Sequence, residues 1–145
     1  MPRLDAARVA AWHRLQRTAA EIERLVDADV RRDWDVPLGW FDVLAALAAH
    51  GGGIRPSGLA AELRTDRSSL SRRLDRLAEE GWIRRRPAPT PSDHRVVLVE
   101  LTPRGRNLWR EMNVSYRRSV QARFATRLTD ADVADLSRIL RQIEP

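Results

Sequence analysis

The chain of 145 residues contains no cysteine and no lysine, and only one tyrosine and two phenylalanines. The absence of cysteine excludes disulfides, thiolate nucleophiles, cysteine-based redox sensing and cysteine metal sites. The longest uncharged stretch, Val43 to Ile54, is shorter than the roughly 20 apolar residues of a membrane-spanning helix, and the first residues lack the apolar core of a signal peptide. We therefore expect a single soluble domain in the cytoplasm, with no membrane partner.

Residue patterns typical of enzymes are also missing. The three histidines, His13, His50 and His94, fall in different predicted elements and lack metal-ligand spacing. No glycine-rich phosphate loop follows a strand, and no nucleophile has a recognisable partner. The sequence therefore predicts no catalytic residue, no metal and no cofactor, and it predicts that the protein is not an enzyme.

Positive charge is abundant and unevenly distributed. All 26 basic residues are arginine, whose planar guanidinium suits phosphate or guanine, although a GC-rich genome would also produce this usage. Residues 55–106 carry 12 arginines against 7 acidic residues, whereas residues 1–54 carry 7 against 8. A basic segment of this kind is expected of a surface that binds nucleic acid, here double-stranded DNA.

The spacing of apolar residues predicts six helices and one hairpin. The predicted helices run from about Leu4 to Arg32, Pro37 to His50, Pro56 to Leu63, a cap at Thr65 or Asp66 to Gly81, Pro103 to Arg127, and a cap at Thr129 or Asp130 to Ile143. Strand alternation follows at Trp82 to Arg86 and at Val96 to Leu101, and Ile54 is predicted to be a short strand that pairs with this hairpin. The predicted fold is mainly α with a small β-hairpin wing, a winged helix-turn-helix joined to a helical dimerisation region.

This order of elements predicts two functional regions. Residues 37–102 are expected to form the DNA-binding lobe, and residues 1–36 and 103–145 a helical dimerisation region. The last two helices carry more apolar residues than the core of a compact DNA-binding lobe needs. The simplest way to bury these residues is against a second copy of the chain. A two-fold dimer would place two reading helices about one DNA turn apart on a roughly palindromic site. The alternative is that both helices fold back on the chain's own core.

The fourth predicted helix is the candidate for reading DNA. Its leucines share one side, so hydroxyls and arginines point away from the core. Small hydroxyls allow close approach to phosphate. An arginine can form a bidentate hydrogen bond with guanine O6 and N7, so we expect Arg72 or Arg73 to contact a base edge. The DNA contacts predicted for this helix and the one before it are Ser57, Arg67, Ser68, Ser69, Arg72, Arg73 and Arg76. The alternative is a solvated surface, since Asp75 and Glu79 weaken the positive field.

The hairpin is expected to add a basic wing. We predict DNA contacts from Arg85, Arg86, His94 and Arg95, with Arg95 reaching the minor groove, where negative potential attracts guanidinium. Asp93 is expected to brace the turn by holding a backbone N–H or an arginine. The alternative for Asp93 alone is an ordinary turn residue.

Four segments carry a recognisable combination of residues. They are WFDVLAAL (Trp40 to Leu47), RPSGLAAEL (Arg55 to Leu63), DRSSLSRRLDRLAEEGWIRRR (Asp66 to Arg86) and VVLVELTPRG (Val96 to Gly105). The more specific marks are D-x-R at Asp93 and Arg95 and L-T-x-x-G at Leu101, Thr102 and Gly105. The chain thereby resembles the MarR family of winged helix-turn-helix transcriptional regulators. The resemblance implies a homodimer that binds a palindromic operator, mostly as a repressor, and that releases DNA when a small, often aromatic or phenolic, ligand enters a cleft beside the DNA-binding lobe.

Family analogy also indicates where such a ligand would bind. The cleft residues that it implies are Trp12, His13, Trp40 and Asp42, with Trp34 or Trp109 as further candidates. Indole offers a flat apolar wall and one donor, but these tryptophans would equally serve as core or dimer packing, and Asp42 as a surface residue. The competing functions are a ligand-independent or architectural winged-helix DNA binder and a winged-helix module for protein–protein contact.

Overall fold

The computed structural model describes residues 5–88 and 96–145, and within these ranges the chain forms six α-helices and one two-stranded hairpin. In chain order the elements are α1 (Ala6–Trp34), α2 (Leu38–Ala49), α3 (Pro56–Glu62), α4 (Arg67–Glu79), β1 (Ile83–Pro87), β2 (Val97–Leu101), α5 (Pro103–Arg123) and α6 (Asp130–Ile143). The predicted fold class, mainly helical with a hairpin wing, is confirmed.

Capping side chains mark the start of α1, α4, α5 and α6. Asp5 accepts a hydrogen bond from the backbone N–H of Ala7 at the start of α1, at 2.8 Å, and Thr129 forms a capping box with Asp132 at the start of α6. The first helix ends at Trp34, two residues later than predicted, and the next residue, Asp35, has a left-handed backbone (φ 52°). A short polar residue such as Asp tolerates this conformation better than most.

The predicted continuation of the fifth helix to Arg127 is wrong. Its α-helical hydrogen bonding ends at Arg123, and residues Ala125–Arg127 form a separate 3-10 turn. The break lies at Phe124, whose φ and ψ of −122° and −58° depart from helical geometry. Apolar spacing continues through this break, which is why periodicity alone did not reveal it.

The hairpin is attached to the helices by its apolar face and by a third backbone segment. The two strands are antiparallel, with Ile83 opposite Leu101 and Arg85 opposite Val99. Ile54 bridges to Val99 through two backbone hydrogen bonds of 3.0 and 2.9 Å, which confirms the short strand predicted there. Ile83, Val99 and Leu101 are buried, so the base of the wing belongs to the hydrophobic core.

One core joins α2, α3, α4 and the hairpin to the long helices α1 and α5. Its buried apolar residues come from the second half of α1, from α2 to α4, from the hairpin and from α5; among the largest are Val30, Leu44, Leu47, Leu59, Leu70, Leu74, Leu77, Val99 and Met112. Most of the apolar stripe of α5 packs against this core, including Leu108, Trp109, Tyr116 and Val120. Because α1 and α2 cover much of this stripe within the chain, α5 leaves less apolar surface for a second copy than its sequence alone suggests.

Two helical surfaces remain uncovered in the single chain. The first half of α1 exposes Val9, Trp12 and Leu15, and α6 exposes Val133, Ile139, Leu140 and Ile143. Every residue of α6 is described, and none is buried. In residues 5–88 and 96–145, no helix combines the length and apolar character required to cross a membrane.

Candidate nucleic-acid interface

Helix α4 turns its leucines inward and its polar residues outward. Leu70, Leu74 and Leu77 are buried in the core, whereas Arg72 and Arg76 are exposed. Exposure on the side opposite the core is what a helix needs in order to enter a DNA groove, because the base edges can then meet its side chains directly. The geometry therefore presents the two arginines as the sequence predicts.

The first turn of α4 is organised by the carboxylate of Asp66. Its Oδ1 accepts from the backbone N–H of Ser69 and the hydroxyl of Ser68, both at 2.7 Å, and its Oδ2 accepts from the hydroxyl of Ser69 at 2.9 Å. These bonds, the backbone one first, hold the pKa of Asp66 well below its usual range. Both serine hydroxyls thus donate to the cap, and they offer oxygen lone pairs rather than protons to a ligand.

A basic groove lies between α3, α4 and the hairpin. The groove encloses a cavity of about 410 Å³, and its polar lining consists of Arg55, Ser57, Arg67, Ser71 and Arg85. Three residues predicted to contact DNA, Ser57, Arg67 and Arg85, therefore meet here although they belong to three different elements. Three guanidinium groups and two hydroxyls around one concave surface form an environment suited to phosphate.

Sequence reasoning missed two residues of this basic groove. Arg55 immediately precedes the proline that starts α3, and Ser71 follows Arg67 by four residues on one side of α4. The helical spacing of Ser71 from Arg67 was visible in the sequence and was the signal that could have found it. The position of Arg55 depends on how α3 packs beside the hairpin, so the sequence carried no comparable signal for it.

The three consecutive arginines of β1 point in two directions. Arg84 and Arg86 lie on one face of the hairpin and bind Glu100 at 2.7 and 3.0 Å, and Arg86 also donates to the carbonyl of Gly52 at 2.5 Å. These hydrogen bonds, chiefly that from Arg84, lower the pKa of Glu100. Arg85 lies on the opposite face, in the basic groove. Of the two predicted contacts in this strand, Arg86 is thus bonded to Glu100 and Gly52, whereas Arg85 faces α4.

Arg73 is directed away from the exposed side of α4. It is half-buried, and its guanidinium lies over the backbone of Gly39 in α2, so that a methyl group on Gly39 would approach Cζ and Nη1 to 3.4 Å. The adjacent Arg72 is exposed. The sequence analysis named either arginine as the base contact, and the structure places Arg72 on the exposed side of α4 and Arg73 against α2.

A second cavity, of about 630 Å³, lies between α1, α2 and α4. It is lined by Trp40, by the carboxylates of Glu23, Asp27 and Asp42, and by the guanidinium groups of Arg24, Arg31, Arg64 and Arg73. The pKa of Asp42 is raised, first by burial and then by the nearby Glu23, while Arg73 partly offsets both. We call this space the acidic cleft after its three carboxylates, although its lining contains more arginines than acidic residues.

The tryptophans and His13 occupy different surroundings. Trp12 is 56% exposed on the first half of α1, and neither it nor His13 lines the acidic cleft; 11 residues of helix, about 16 Å, separate Trp12 from Glu23. Trp34 donates to the hydroxyl of Ser115 at 2.9 Å and packs, like Trp109, against the core. Of the residues implied by family analogy, Trp40 and Asp42 are the two that the structure brings together.

The remaining predicted residues are those assigned to the wing from the sequence alone. Asp93, His94 and Arg95 lie outside the described ranges, 5–88 and 96–145. Their roles in DNA contact and in bracing the turn stay predictions.

Comparison with known proteins identifies the family. The model of the MarR family matches residues 34–95. Multiple antibiotic resistance protein MarR of Salmonella typhimurium is 35% identical over 111 residues, which cover 77% of this chain and 75% of the relative. The chain belongs to the MarR family. Members of this family are transcriptional regulators, so the protein is a regulator of transcription and not an enzyme.

Solved MarR-family structures share the fold over nearly the whole chain. A MarR variant from Escherichia coli, crystallised with operator DNA, superposes with a TM-score of 0.81 at 27% identity and covers 98% of this chain and 99% of the other. Sco3205 from Streptomyces coelicolor, a MarR family transcriptional regulator in complex with DNA, gives a TM-score of 0.84 at 29% identity, with coverage of 99% and 89%. The similarity extends beyond the lobe to the terminal helices.

Proposed function

We propose that this MarR-family regulator is a homodimeric repressor that binds a palindromic operator in double-stranded DNA and releases it when a small aromatic or phenolic ligand binds. The observation that carries the proposal is the basic groove beside the exposed face of α4. Arg55, Arg67 and Arg85 line this groove, and Arg72 and Arg76 extend the positive charge along the helix. The two relatives crystallised with DNA have the same fold.

In the proposed complex the basic groove and the exposed face of α4 contact different parts of the DNA. The basic groove binds backbone phosphate, with Ser57 at the start of α3 as a further donor. Arg72 enters the major groove and contacts a guanine edge. His94 and Arg95 at the wing tip contact the neighbouring minor groove. Phosphate contacts supply affinity that depends on salt, and the base contact supplies sequence preference.

The uncovered apolar faces support a dimer. Ile143 on α6 is 59% exposed and Trp12 on α1 is 56% exposed, and clusters of this kind usually mark an association site. A second copy would cover both faces at once if residues 1–36 and 103–145 form the dimerisation region. The proposed two-fold axis then presents two copies of α4 to successive turns of the same DNA face.

The acidic cleft is the proposed effector site. The indole of Trp40 offers a flat wall for an aromatic ring, and the guanidinium of Arg73 offers donors for a phenolate or carboxylate. Because Arg73 belongs to α4, a ligand that binds Arg73 in this cleft would change the position of the reading helix.

Titration with para-hydroxybenzoate tests the site. We expect quenching of Trp40 fluorescence together with release of DNA, and Trp40→Phe should remove the quenching. DNA that stays bound at saturating concentrations of this and related phenolic acids would argue for a ligand-independent regulator.

Selection of bound duplexes from a random-sequence pool tests the function as a whole. We expect enrichment of an inverted repeat with half-sites about 10 base pairs apart, centre to centre. Binding without sequence enrichment would indicate an architectural DNA binder. Failure to bind DNA at low salt would favour a module for protein–protein contact.

Sedimentation at low concentration tests the dimer separately. The wild type is expected at twice the mass of the chain. Ile139→Asp should give monomers, because the new charge would be buried in the interface. Ala134→Asp, on the other side of α6, is the matched control and should remain dimeric. A wild type that sediments as a monomer would exclude the two-fold arrangement.

A further inference from the structure

An ion pair joins the reading helix to the wing within the proposed DNA interface. The guanidinium Nη2 of Arg85 in β1 donates to the carboxylate Oδ1 of Asp75 in α4, at 2.7 Å. Asp75 follows Ser71 by four residues, so both lie on the side of α4 that faces the basic groove. Both partners remain accessible to solvent, with side-chain exposures of 37% for Arg85 and 60% for Asp75.

A carboxylate at this place is unfavourable for DNA binding unless it has a compensating role. Asp75 lies one turn from Arg72, on a surface that the phosphates of DNA would approach, and a negative charge there repels the duplex whatever its sequence. An exposed ion pair contributes little to folding. The contact with Arg85 is therefore better explained by its effect on the interface than by its effect on stability.

We propose that Asp75 is a positioning and specificity-determining residue, which orients the Arg85 guanidinium toward one phosphate of the correctly bound operator. Guanidinium has five N–H donors in a rigid plane, so the hydrogen bond to Asp75 leaves donors for phosphate and limits the directions in which they point. In a complex on the correct sequence, Arg85 meets a phosphate in this orientation. On other sequences the phosphate lies elsewhere, and the repulsion by Asp75 is uncompensated. This inference rests on the proposed sequence-specific binding of DNA.

The opposite face of the hairpin supplies an internal contrast. Arg84 is adjacent in sequence and is also ion-paired at 2.7 Å, but its partner is Glu100 within the hairpin. That pair does not connect the wing to α4. Among the three arginines of β1, the link to the reading helix is made by Arg85.

The test compares a selected operator duplex with a scrambled duplex of the same length and composition. Asp75→Asn should bind the scrambled duplex more tightly and lose affinity for the operator, so that the ratio of the two affinities falls by about tenfold. Asp75→Glu keeps the charge and should recover most of the ratio. Glu79→Gln is the matched control, because it removes one charge from α4 without touching Arg85; it should strengthen binding to both duplexes equally and leave the ratio unchanged.

A double-mutant cycle tests whether Asp75 acts through Arg85. Arg85→Ala should weaken operator binding strongly in the wild type and much less in the Asp75→Asn background, whereas Arg84→Ala should have the same effect in both backgrounds. If Asp75→Asn changed both affinities in the same proportion as Glu79→Gln, or if the cycle showed no coupling, the inference would be overturned. A wild type that selects no sequence would overturn the proposed function, and this inference with it.

Discussion

The carboxylate of Asp29 in α1 accepts two hydrogen bonds of 2.9 Å from the guanidinium of Arg123, at the end of α5. The hydroxyl of Ser119 donates to the same carboxylate at 2.6 Å, and Arg32 donates at 3.0 Å. Asp29 and Ser119 are both buried. This cluster joins two helices that are about 90 residues apart in the chain, and it holds the first helix against the body of the protein.

Replacing Asp29 by asparagine should destabilise the fold. The amide keeps the shape of the side chain but loses the charge that binds Arg123, and one of its polar atoms becomes a donor facing other donors. We expect the free energy of unfolding to fall by about 2 kcal/mol, measured by urea denaturation. Asp33→Asn, at an exposed position of the same helix, is the control and should change it by less than about 0.5 kcal/mol. Equal effects of the two substitutions would contradict the structural role of Asp29.

The same cluster predicts how stability depends on pH. The hydrogen bonds from Arg123 and then Ser119 hold the pKa of Asp29 well below its usual range in the folded state. The folded state therefore binds fewer protons, and the contribution of Asp29 is fully present above its unfolded pKa of about 4 and declines as the pH falls below that value. Thermal unfolding of the wild type and Asp29→Asn between neutral and strongly acidic pH should show a difference in Tm that shrinks below about pH 4. A constant difference would contradict this assignment.

Two adjacent arginines of α4 should differ in their effect on DNA recognition. Arg72 is exposed, whereas Arg73 lies over Gly39 at the acidic cleft. Arg72→Ala should weaken operator binding by about 1 to 3 kcal/mol and relax the preference at one base pair of each half-site. Arg73→Ala should leave the preferred sequence unchanged, as judged by repeating the selection from random DNA. Relaxed preference in Arg73→Ala and unchanged preference in Arg72→Ala would reverse the assignment.

Gly105 should not tolerate a side chain. It lies in the first turn of α5, where its N–H donates to the Thr102 hydroxyl at 3.0 Å, and a methyl group there would overlap the backbone carbonyl of Trp82 at 1.8 Å. Backbone cannot move away as a flexible side chain can, so Gly105→Ala should cost about 3 kcal/mol of folding free energy or prevent folding. Gly51→Ala, which meets nothing within 4 Å, is the control. Wild-type stability in Gly105→Ala would contradict the close approach.

The close contact at Gly105 also gives a physical account of the L-T-x-x-G segment. Thr102 caps α5, its hydroxyl donates to the carbonyl of Gly81 at 2.6 Å, and its N–H donates to the carbonyl of Trp82 at 3.1 Å. The end of α4, the end of β2 and the start of α5 therefore meet at one point. The sequence marked the segment as a family feature, and the packing explains why its threonine and glycine are needed.

Local physical chemistry was sufficient to predict most of the architecture. Helix periodicity, capping residues such as Asp66 and Thr129, and strand alternation after Gly81 are properties of short segments, so the order of helices and the basic wing could be predicted from the sequence alone. The exposed face of α4 followed from the spacing of its leucines. The break at Phe124 was missed because the apolar period does not mark it.

Tertiary packing decided what each charged side chain contacts. Helical periodicity in α4 and alternation in β1 place Arg72 and Arg73, and Arg85 and its neighbours, on different faces, but they do not show what those faces contact. Their roles differ because α2 lies beside one face of α4 and the hairpin beside another, and because Glu100 opposes Arg84 and Arg86 while Asp75 faces Arg85. A sequence determines which residues can pair along a helix or strand. Contacts between elements depend on how the shared core orients those elements, which only the folded structure shows.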